Sequence, residues 1–144
     1  MKVSEILSAK GTEVMTVKPT ETVETLAHRL KLARVGALVV STDGSKPEGI
    51  VSERDVVHAL SEHGRRALER TVADLMTRRV TTCKPGDRIS AIAKVMTVNR
   101  IRHVPVVEDG RLIGIVSLGD VVKHRLDEIQ LEADVLRDIA IAGG

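Results

Sequence analysis

Two segments of the sequence share the pattern Ser-x-x-Asp: Ser52 to Asp55 and Ser117 to Asp120. Each follows a short apolar run typical of a buried strand and opens an apolar pattern typical of a helix. A carboxylate one turn into such a helix can accept hydrogen bonds from two neighbouring hydroxyl groups, and the helix N-terminus beside it attracts phosphate. The same pattern is also a capping box, which only stabilises the end of the helix. Both interpretations stay open for each segment taken alone.

The two segments belong to a duplicated sequence. GIVSERDVV at residues 49–57 returns as GIVSLGDVV at residues 114–122, and Lys18-Pro19 corresponds to Lys84-Pro85 at an offset of 66 residues. The offset falls to 65 after the Asp-Gly turns, because the first copy has one more residue there. A single insertion in a turn is typical of a true duplication.

Each copy predicts the element order β-α-β-β-α, preceded by a short helix. The helix 22–33 has its apolar residues at i, i+3, i+4 and i+7, and the run 37–41 is apolar enough for a buried strand. Pro105 cannot donate a ladder hydrogen bond, so we expect its strand edge to face a cleft or a loop. The predicted elements are helix 3–10, strand 14–17, helix 22–33, strands 37–41 and 49–51, helix 53–63, then helix 72–76, strand 80–83, helix 88–99, strands 103–108 and 111–116, and helix 118–128.

Length and pattern divide the chain of 144 residues into three segments. Residues 1–66 and 67–128 each hold one copy with its leading helix, and residues 129–144 form a C-terminal amphipathic helix. A half of about 65 residues is marginally stable alone, so we expect the two copies to share a core. The apolar stripe of the C-terminal helix, at Ile129, Ala133 and Leu136, needs a partner surface to cover it.

Composition argues against several classes of function. The 22 basic and 20 acidic side chains nearly balance, and the chain has no aromatic residue on which bases could stack, so nucleic acid is not an expected partner. The single cysteine, Cys83, excludes an internal disulfide and favours a structural thiol. The histidines form no metal-ligand pattern. No apolar run reaches transmembrane length and the first residues lack a signal peptide, so we expect a cytoplasmic protein without a membrane partner.

Several motifs in a fixed order, most of them present in both copies, carry a resemblance to a known family. They are the lead-in Val3-Ser4-Glu5-Ile6-Leu7, a Lys-Pro after the first strand, the strand segment His103 to Val107, and the Gly-Ile-Val-Ser-x-x-Asp-Val-Val junction. Together they resemble a pair of CBS (cystathionine-β-synthase-type) domains, and most of all the small stand-alone bacterial CBS-pair proteins. The resemblance implies an α/β (α+β) fold of two pseudo-twofold-related units packed sheet to sheet. It also implies clefts that bind AMP, ADP, ATP, S-adenosylmethionine or NAD(H).

The resemblance extends to single residues of the expected ligand sites. Asp55 and Asp120 are the candidate ribose acceptors, and Arg102 and His103 stand where the gamma subunits of AMP-activated kinases hold nucleotide phosphate. Arg54 is a further cation that only the Asp55 side has. The other candidate ligand-binding residues are Ser52, Ser117 and Gly119 at the helix starts, Gly36 and Ala37 in place of the basic pair, Thr16, Thr82 and Pro105 on strands, and Val17, Val35, Ile50, Ile101 and Ile115 as aliphatic neighbours of an adenine.

Three functions compete at this point. The first is a regulatory module that senses an adenosine nucleotide or NAD(H) and has no catalytic residues or catalytic cofactor, and for this module we expect a homodimer and an unidentified regulated protein. The second is an enzyme, against which stands the absence of any sequence motif for a nucleophile or a phosphate loop. The third is a dimerising structural adaptor with vestigial nucleotide clefts. The presence of both aspartates favours the first function over the third.

Overall fold

A computed structural model describes residues 1–11 and 13–143 of the chain. Within these ranges it confirms the predicted mixed α/β class, with two small sheets and six α-helices. In chain order the elements are α1 (Val3–Lys10), β1 (Thr16–Val17), α2 (Val23–Ala33), β2 (Ala37–Val40), β3 (Gly49–Ser52), α3 (Glu53–His63), a 3₁₀ segment (Gly64–Glu69), α4 (Val72–Leu75), α5 (Ile89–Asn99), β4 (His103–Glu108), β5 (Arg111–Ser117) and α6 (Leu118–Gly143).

The first sheet has the strand order β1-β2-β3, with β1 parallel to β2 and β2 antiparallel to β3. All four residues of β2 are buried, as its continuous apolar run predicts. Strand β3 runs without a break into α3, and Ser52 caps that helix through its side chain. The first Ser-x-x-Asp segment therefore lies at the end of β3, and β3 is held in place by its pairing with the buried strand β2.

Among the described residues the second sheet contains only β4 and β5, so the prediction of a strand at 80–83 is wrong. A single parallel bridge joins Cys83 to Val106, with the Cys83 amide donating to the Pro105 carbonyl over 2.9 Å. The next bond of a parallel ladder would run from the amide of residue 105 to the carbonyl of Thr81, and proline has no amide hydrogen. The proline that marks this strand edge therefore stops the neighbouring strand from forming.

The buried side chains form two clusters, not the single shared core that length predicts. The cluster around β4 and β5 includes Val3, Ile6 and Leu7 of α1, which precedes the first copy. The cluster around β2 and β3 includes Val72 of α4, which precedes the second copy. Each core thus contains the leading helix of the other copy, which ties the two halves together. Where the domains are divided along the chain stays a prediction.

Helix α6 is longer than either helix predicted for this region. The helix 118–128 and the C-terminal amphipathic helix form one continuous helix of 26 residues. Its first turns pack on the body of the protein, where Val121 is buried. Farther along, Leu126, Ile129 and Leu136 are 61%, 52% and 67% exposed, so the predicted apolar stripe has no cover within the described part of the chain.

Candidate functional site

A cavity of about 480 Å³ lies at the junction of β3 and α3, and we call it the Asp55 cleft. Both copies contribute to its walls: β3 and the start of α3 come from the first, and the segment between α5 and β4 comes from the second. Of the predicted ligand-binding residues, nine line it: Gly36, Ala37, Ile50, Ser52, Arg54, Asp55, Ile101, Arg102 and His103.

The carboxylate of Asp55 takes part in a capping box and keeps hydrogen-bonding capacity. Its Oδ2 accepts from the Ser52 amide at 2.8 Å and from the Ser52 hydroxyl at 3.0 Å. Among the described residues no protein donor reaches Oδ1, which leaves that oxygen able to accept from a ligand. Capping and ligand binding, the two interpretations of Ser-x-x-Asp, are therefore compatible here, because each uses a different carboxylate oxygen.

The backbone amides at the start of α3 are mostly occupied by protein acceptors. The Glu53 amide donates to the Gly36 carbonyl over 2.9 Å, and the Asp55 amide lies 3.4 Å from the Ser52 hydroxyl. Of these first three amides, only that of Arg54 lacks an acceptor within the described residues. The helix N-terminus is thus a weaker anion site than the sequence predicts, and side-chain cations must supply most of any attraction for phosphate.

Basic side chains line the Asp55 cleft from two directions. Arg54 comes from α3, while Arg100, Arg102 and His103 come from the end of α5 and the start of β4. Burial lowers the pKa of His103 from its ordinary value, and nearby Lys10 and Arg102 lower it further against the opposing effect of Asp120 and Glu53. His103 is therefore neutral in the ligand-free protein at neutral pH, and the arginines carry the positive charge.

Gly36 allows the two copies to approach each other closely beside the cleft. A Cβ atom at this position would lie 3.2 Å from Glu53 Oε1 and 3.4 Å from His103 Cε1. The sequence correspondence pairs Gly36 with Arg102, so the first copy has no side chain where the second has a guanidinium. The imidazole of His103 occupies the space that this missing side chain leaves.

The second junction has the same capping geometry but a different neighbour. Asp120 Oδ2 accepts from the Ser117 amide at 2.9 Å, and also from the ammonium group of Lys10 at 2.8 Å. Burial acts to raise the pKa of Asp120, but the hydrogen bonds from Lys10 and Ser117 outweigh it and hold that pKa below its usual value. The Asp120 carboxylate is thus ionised and already paired with a cation of its own chain.

The remaining predicted residues do not line the Asp55 cleft. Val17 and Pro105 are buried, and Thr82 is exposed on the extended segment beside Cys83. Val35 lines a separate apolar groove between α2 and α3, and Thr16 a shallow polar hollow beside the Asp43-Gly44 turn. Ile115, Ser117, Gly119 and Asp120 form the second junction. Whether these residues bind a ligand stays a prediction.

Four residues of the Asp55 cleft were not predicted from the sequence: Val51, Glu53, Thr77 and Arg100. Val51 and Glu53 lie next to predicted residues, so the Ser-x-x-Asp segment itself was the available signal. Thr77 reaches the cleft because its backbone forms hydrogen bonds of 2.9 and 3.0 Å with Ile50, across the boundary between the copies. Arg100 ends α5 in the left-handed backbone conformation. The residue at this position is not a glycine, so the sequence did not predict such a helix end.

Two properties of the described residues bear on the site. None of the helices in residues 1–11 and 13–143 is long and apolar enough to cross a membrane. Within the same ranges, no group of three or more histidine, cysteine, aspartate or glutamate side chains is arranged to hold a metal ion.

Comparison with known proteins agrees with this doubled architecture. The family model described as CBS domain matches residues 3–62 and again residues 72–127. The chain belongs to the CBS domain family. As a CBS pair, it is similar to the CBS domain-containing protein CBSX3, mitochondrial, of Arabidopsis thaliana, with 33% identity over 99% of this chain and 72% of that protein. It is also similar to YhcV of Bacillus subtilis, with 28% identity over 85% and 86% of the two chains.

Solved CBS structures superpose on most of the chain. A CBS-domain-containing protein from Agrobacterium tumefaciens matches with a TM-score of 0.82 and 41% identity, covering 86% of this chain and 92% of the other. The CBS domain pair of protein MJ0100, solved in complex with 5'-methylthioadenosine and S-adenosyl-L-methionine, matches with a TM-score of 0.78 and 25% identity, covering 89% and 98%. The predicted family and fold class are thereby confirmed.

Proposed function

We propose that this CBS pair is a regulatory module that binds an adenosine nucleotide, AMP, ADP, ATP or NAD(H), in the Asp55 cleft. The observation that carries the proposal is the meeting of an available aspartate oxygen and three arginines in one cavity of about 480 Å³. That volume lies within the range of about 300–1,000 Å³ typical of small-molecule sites. The module responds to its ligand through a change in conformation or oligomeric state, and so reports energy or redox status to a regulated protein.

The chemistry of the cleft fits the parts of such a ligand. The carboxylate of Asp55 offers Oδ1 to the hydroxyl pair of a ribose, and Arg54, Arg100 and Arg102 offer charge-assisted hydrogen bonds to phosphate. Because the chain has no aromatic residue, an adenine would pack between aliphatic groups of the cleft, such as Ile50 and Ile101. The adenosine ligands of the MJ0100 pair support the same ligand class for this chain.

We further propose that the module has no enzymatic activity. Its single thiol, that of Cys83, is a poor nucleophile, because burial, helped by nearby Asp87, raises the pKa of Cys83 to about 12. The Asp55 carboxylate caps α3 through Oδ2, so the structure already gives this group a role that is not catalytic. Incubation of ATP, NAD and S-adenosylmethionine with the protein, followed by chromatography of the nucleotides, should therefore show no turnover.

A thermal-shift panel of AMP, ADP, ATP, NAD, NADH and S-adenosylmethionine tests the binding function. A compound that binds only the native state raises the melting temperature. At a compound concentration a hundred times its Kd, the free energy of unfolding increases by about 2.7 kcal/mol. We expect at least one adenosine compound to do so and the corresponding deoxyribose compound to do so far less, because it lacks one hydroxyl group for Asp55. A flat panel up to millimolar concentrations would favour the adaptor with vestigial clefts.

The exposed stripe on α6 supports a homodimer. Leu126, Ile129, Ala133, Leu136 and Ala140 follow spacings of three and four residues, which is the pattern of a helix-to-helix seam. An uncovered row of large aliphatic side chains on a helix favours association with a second copy, since burial of that row releases its hydration water. We therefore propose that two chains pack these stripes together.

Light scattering of the purified protein tests the dimer. We expect a dimer at micromolar concentration for the wild type, and a monomer after the double substitution Ile129→Glu and Leu136→Glu, which introduces charge into the stripe. Leu131→Glu is the matched control, because Leu131 lies on the same helix, is 58% exposed and falls outside the stripe. A monomeric wild type, or a double variant that still dimerises, would contradict the role of the stripe.

A further inference from the structure

A second hollow of about 300 Å³ adjoins the Asp55 cleft, and we call it the α5–α6 hollow because residues of these two helices form part of its wall. Four residues line both spaces: Arg54, Arg100, Ile101 and Arg102. Met96, Thr97 and Leu118 line the hollow but not the cleft. The arginines that we assign to phosphate binding therefore lie between two spaces and border both of them.

The apolar groove between α2 and α3 is the equivalent space of the first copy and provides an internal comparison. At the offsets of the duplication, its residues Leu30, Val35 and Glu53 correspond to Met96, Ile101 and Leu118 of the α5–α6 hollow. The charged residues that line the groove are Lys31, Arg34 and Glu53. One carboxylate thus offsets one of its two cations.

The α5–α6 hollow differs from that groove in its charge. Its charged lining residues are Arg54, Arg100 and Arg102, and Leu118 stands where the first copy has Glu53. All three arginines are exposed, and within residues 1–11 and 13–143 none of them forms an ion pair. A concave surface lined by one sign of charge attracts ligands of the opposite sign. The hollow therefore favours an anionic group that extends beyond the cleft.

The charge of the ligand decides which adenosine compound can use both spaces. AMP carries about two negative charges at neutral pH, and each further phosphate of ADP or ATP adds negative charge. NAD extends instead into a second ribose and a nicotinamide ring, which is cationic in the oxidised cofactor. Three arginines without an acidic neighbour among the residues that line the hollow would repel such a ring.

We propose that the α5–α6 hollow binds the terminal phosphates of ADP or ATP, so that the module prefers adenosine di- and triphosphates over AMP and NAD. This inference rests on the proposed function and names the ligand class of the same site. The ribose lies at Asp55, the phosphate chain passes the three arginines, and the last phosphates occupy the hollow.

Calorimetric titration of AMP, ADP, ATP, NAD and NADH at low salt tests the preference. Magnesium is left out, because it binds phosphate oxygens and would neutralise the charge that the arginines recognise. We expect the wild type to bind ATP at least about tenfold more tightly than AMP, with ADP between them. Leu118→Glu introduces the carboxylate that the first copy has at this position. It should weaken ATP binding about tenfold and change AMP binding little, because the carboxylate repels only the terminal phosphates.

Two controls separate charge in the hollow from charge elsewhere and from shape. Val57→Glu adds the same charge to the groove between α2 and α3, where Val57 is 61% exposed, and should leave the ratio of ATP to AMP affinity unchanged. Leu118→Gln has the shape of the glutamate without its charge and should also keep the ratio. Thr97→Glu is measured as a second variant, because Thr97 lines only the hollow and is exposed on α5.

The outcomes separate this inference from the function on which it rests. ATP binding no tighter than AMP, or weaker than NAD or NADH, would overturn the preference and leave nucleotide binding in place. An unchanged ratio in both Leu118→Glu and Thr97→Glu, or an equal fall in Val57→Glu, would show that the terminal phosphates do not lie in the hollow. No binding of any of the five compounds would overturn the proposed function together with this inference.

Discussion

The two copies of the repeat contain the same Ser-x-x-Asp segment with similar capping hydrogen bonds, yet different groups surround the two aspartates. Each aspartate keeps one oxygen, Oδ1, without a protein donor among the described residues, and arginines of the other copy line the Asp55 cleft. Asp120 is paired with Lys10. The difference arises outside the motif, in the residues supplied by α1 and by the opposite copy.

The opposite copy matters as much as the aspartate itself. The segment Arg100 to His103 faces Asp55, and its counterpart in the first copy, Arg34 to Ala37, has one cation where the second has two arginines and a histidine. A duplicated motif therefore specifies a duplicated backbone but not a duplicated site. Four substitutions test this difference between the copies, and the effect expected from each is smaller than that of the one before it.

Asp55→Asn should cause the largest loss of binding. Replacing the carboxylate by an amide removes a charged acceptor, whose hydrogen bonds contribute about 1.5–3 kcal/mol, so AMP affinity should fall about 10- to 100-fold in calorimetric titrations. Asp74→Asn is the matched control, because Asp74 has the same position in the capping box of α4. If Asp55 were only a cap, both variants would lose about 1 kcal/mol of stability in urea and AMP affinity would stay constant.

Arg102→Gln should lower AMP affinity about tenfold, equivalent to about 1.4 kcal/mol, and leave adenosine affinity nearly unchanged. The reason is that Arg102 lines the Asp55 cleft as a permanent cation that attracts the phosphate but not the nucleoside. Titrations of AMP and adenosine at low salt measure the difference. Arg65→Gln, on the exposed 3₁₀ segment, is the control for net charge. Equal losses for AMP and adenosine would remove Arg102 from the phosphate site.

His103 should make AMP binding depend on pH by a few-fold. Its pKa in the free protein is lowered by burial first and by Lys10 next, and a bound phosphate dianion would raise it. Binding then takes up a proton, so this contribution is fully present below the free-state pKa and is lost as pH rises through the bound-state pKa. Because the free-state pKa lies below the ordinary 6.5, the decline should begin on the acidic side of neutrality.

Titration calorimetry of AMP between about pH 5.5 and 8.5, with adenosine as the phosphate-free control, measures this decline. The second ionisation of the phosphate, near pH 6, acts in the opposite direction, and His103→Gln retains that effect alone. The ratio of wild-type to His103→Gln affinity should therefore fall with rising pH. A constant ratio would show that the imidazole does not contact the phosphate.

Pro105→Ala should have the smallest effect and concerns the architecture of the second copy. The substitution supplies the amide hydrogen that Val39 has at the equivalent position, where β1 pairs with β2 through Thr16. We expect unfolding free energy to change by about 1 kcal/mol or less, and the new amide at residue 105 to be protected from hydrogen exchange by the Thr81 carbonyl. Fast exchange of that amide would show that the proline is not what ends the pairing at Cys83.

The sequence predicted those parts of the fold that depend on local pattern. The helix containing Val23, Leu26 and Leu30, the buried strand Ala37–Val40 and the capping at Ser52 each follow from residues close together in the chain. The strand at 80–83 was not predicted correctly, because its absence depends on a proline more than twenty residues away. Local propensity carries no information about the hydrogen-bond partner.

The candidate site was predictable in part for the same reason. Ser52, Asp55, Arg102 and His103 were identified from motifs and meet in one cavity. The pairing of Lys10 with Asp120 was not predictable from local pattern, since 110 residues separate them and the pairing requires α1 to pack on the second copy. A leading helix is naturally assigned to the copy that it precedes, and here the core of the opposite copy contains it.

Each leading helix packs in the core of the opposite copy of the repeat. This arrangement determines the order in which a chain can complete its two cores while it is synthesised on the ribosome. The cluster around β2 and β3 lacks Val72 until most of the second leading helix has emerged. Helix α1 leaves the ribosome before the second copy, but Leu7 packs against Gly114, where a Cβ atom would lie 2.4 Å from its side chain. Helix α1 therefore cannot complete its packing until β5 has been made, and nascent chains stopped before β5 should leave Val3, Ile6 and Leu7 accessible to a chaperone.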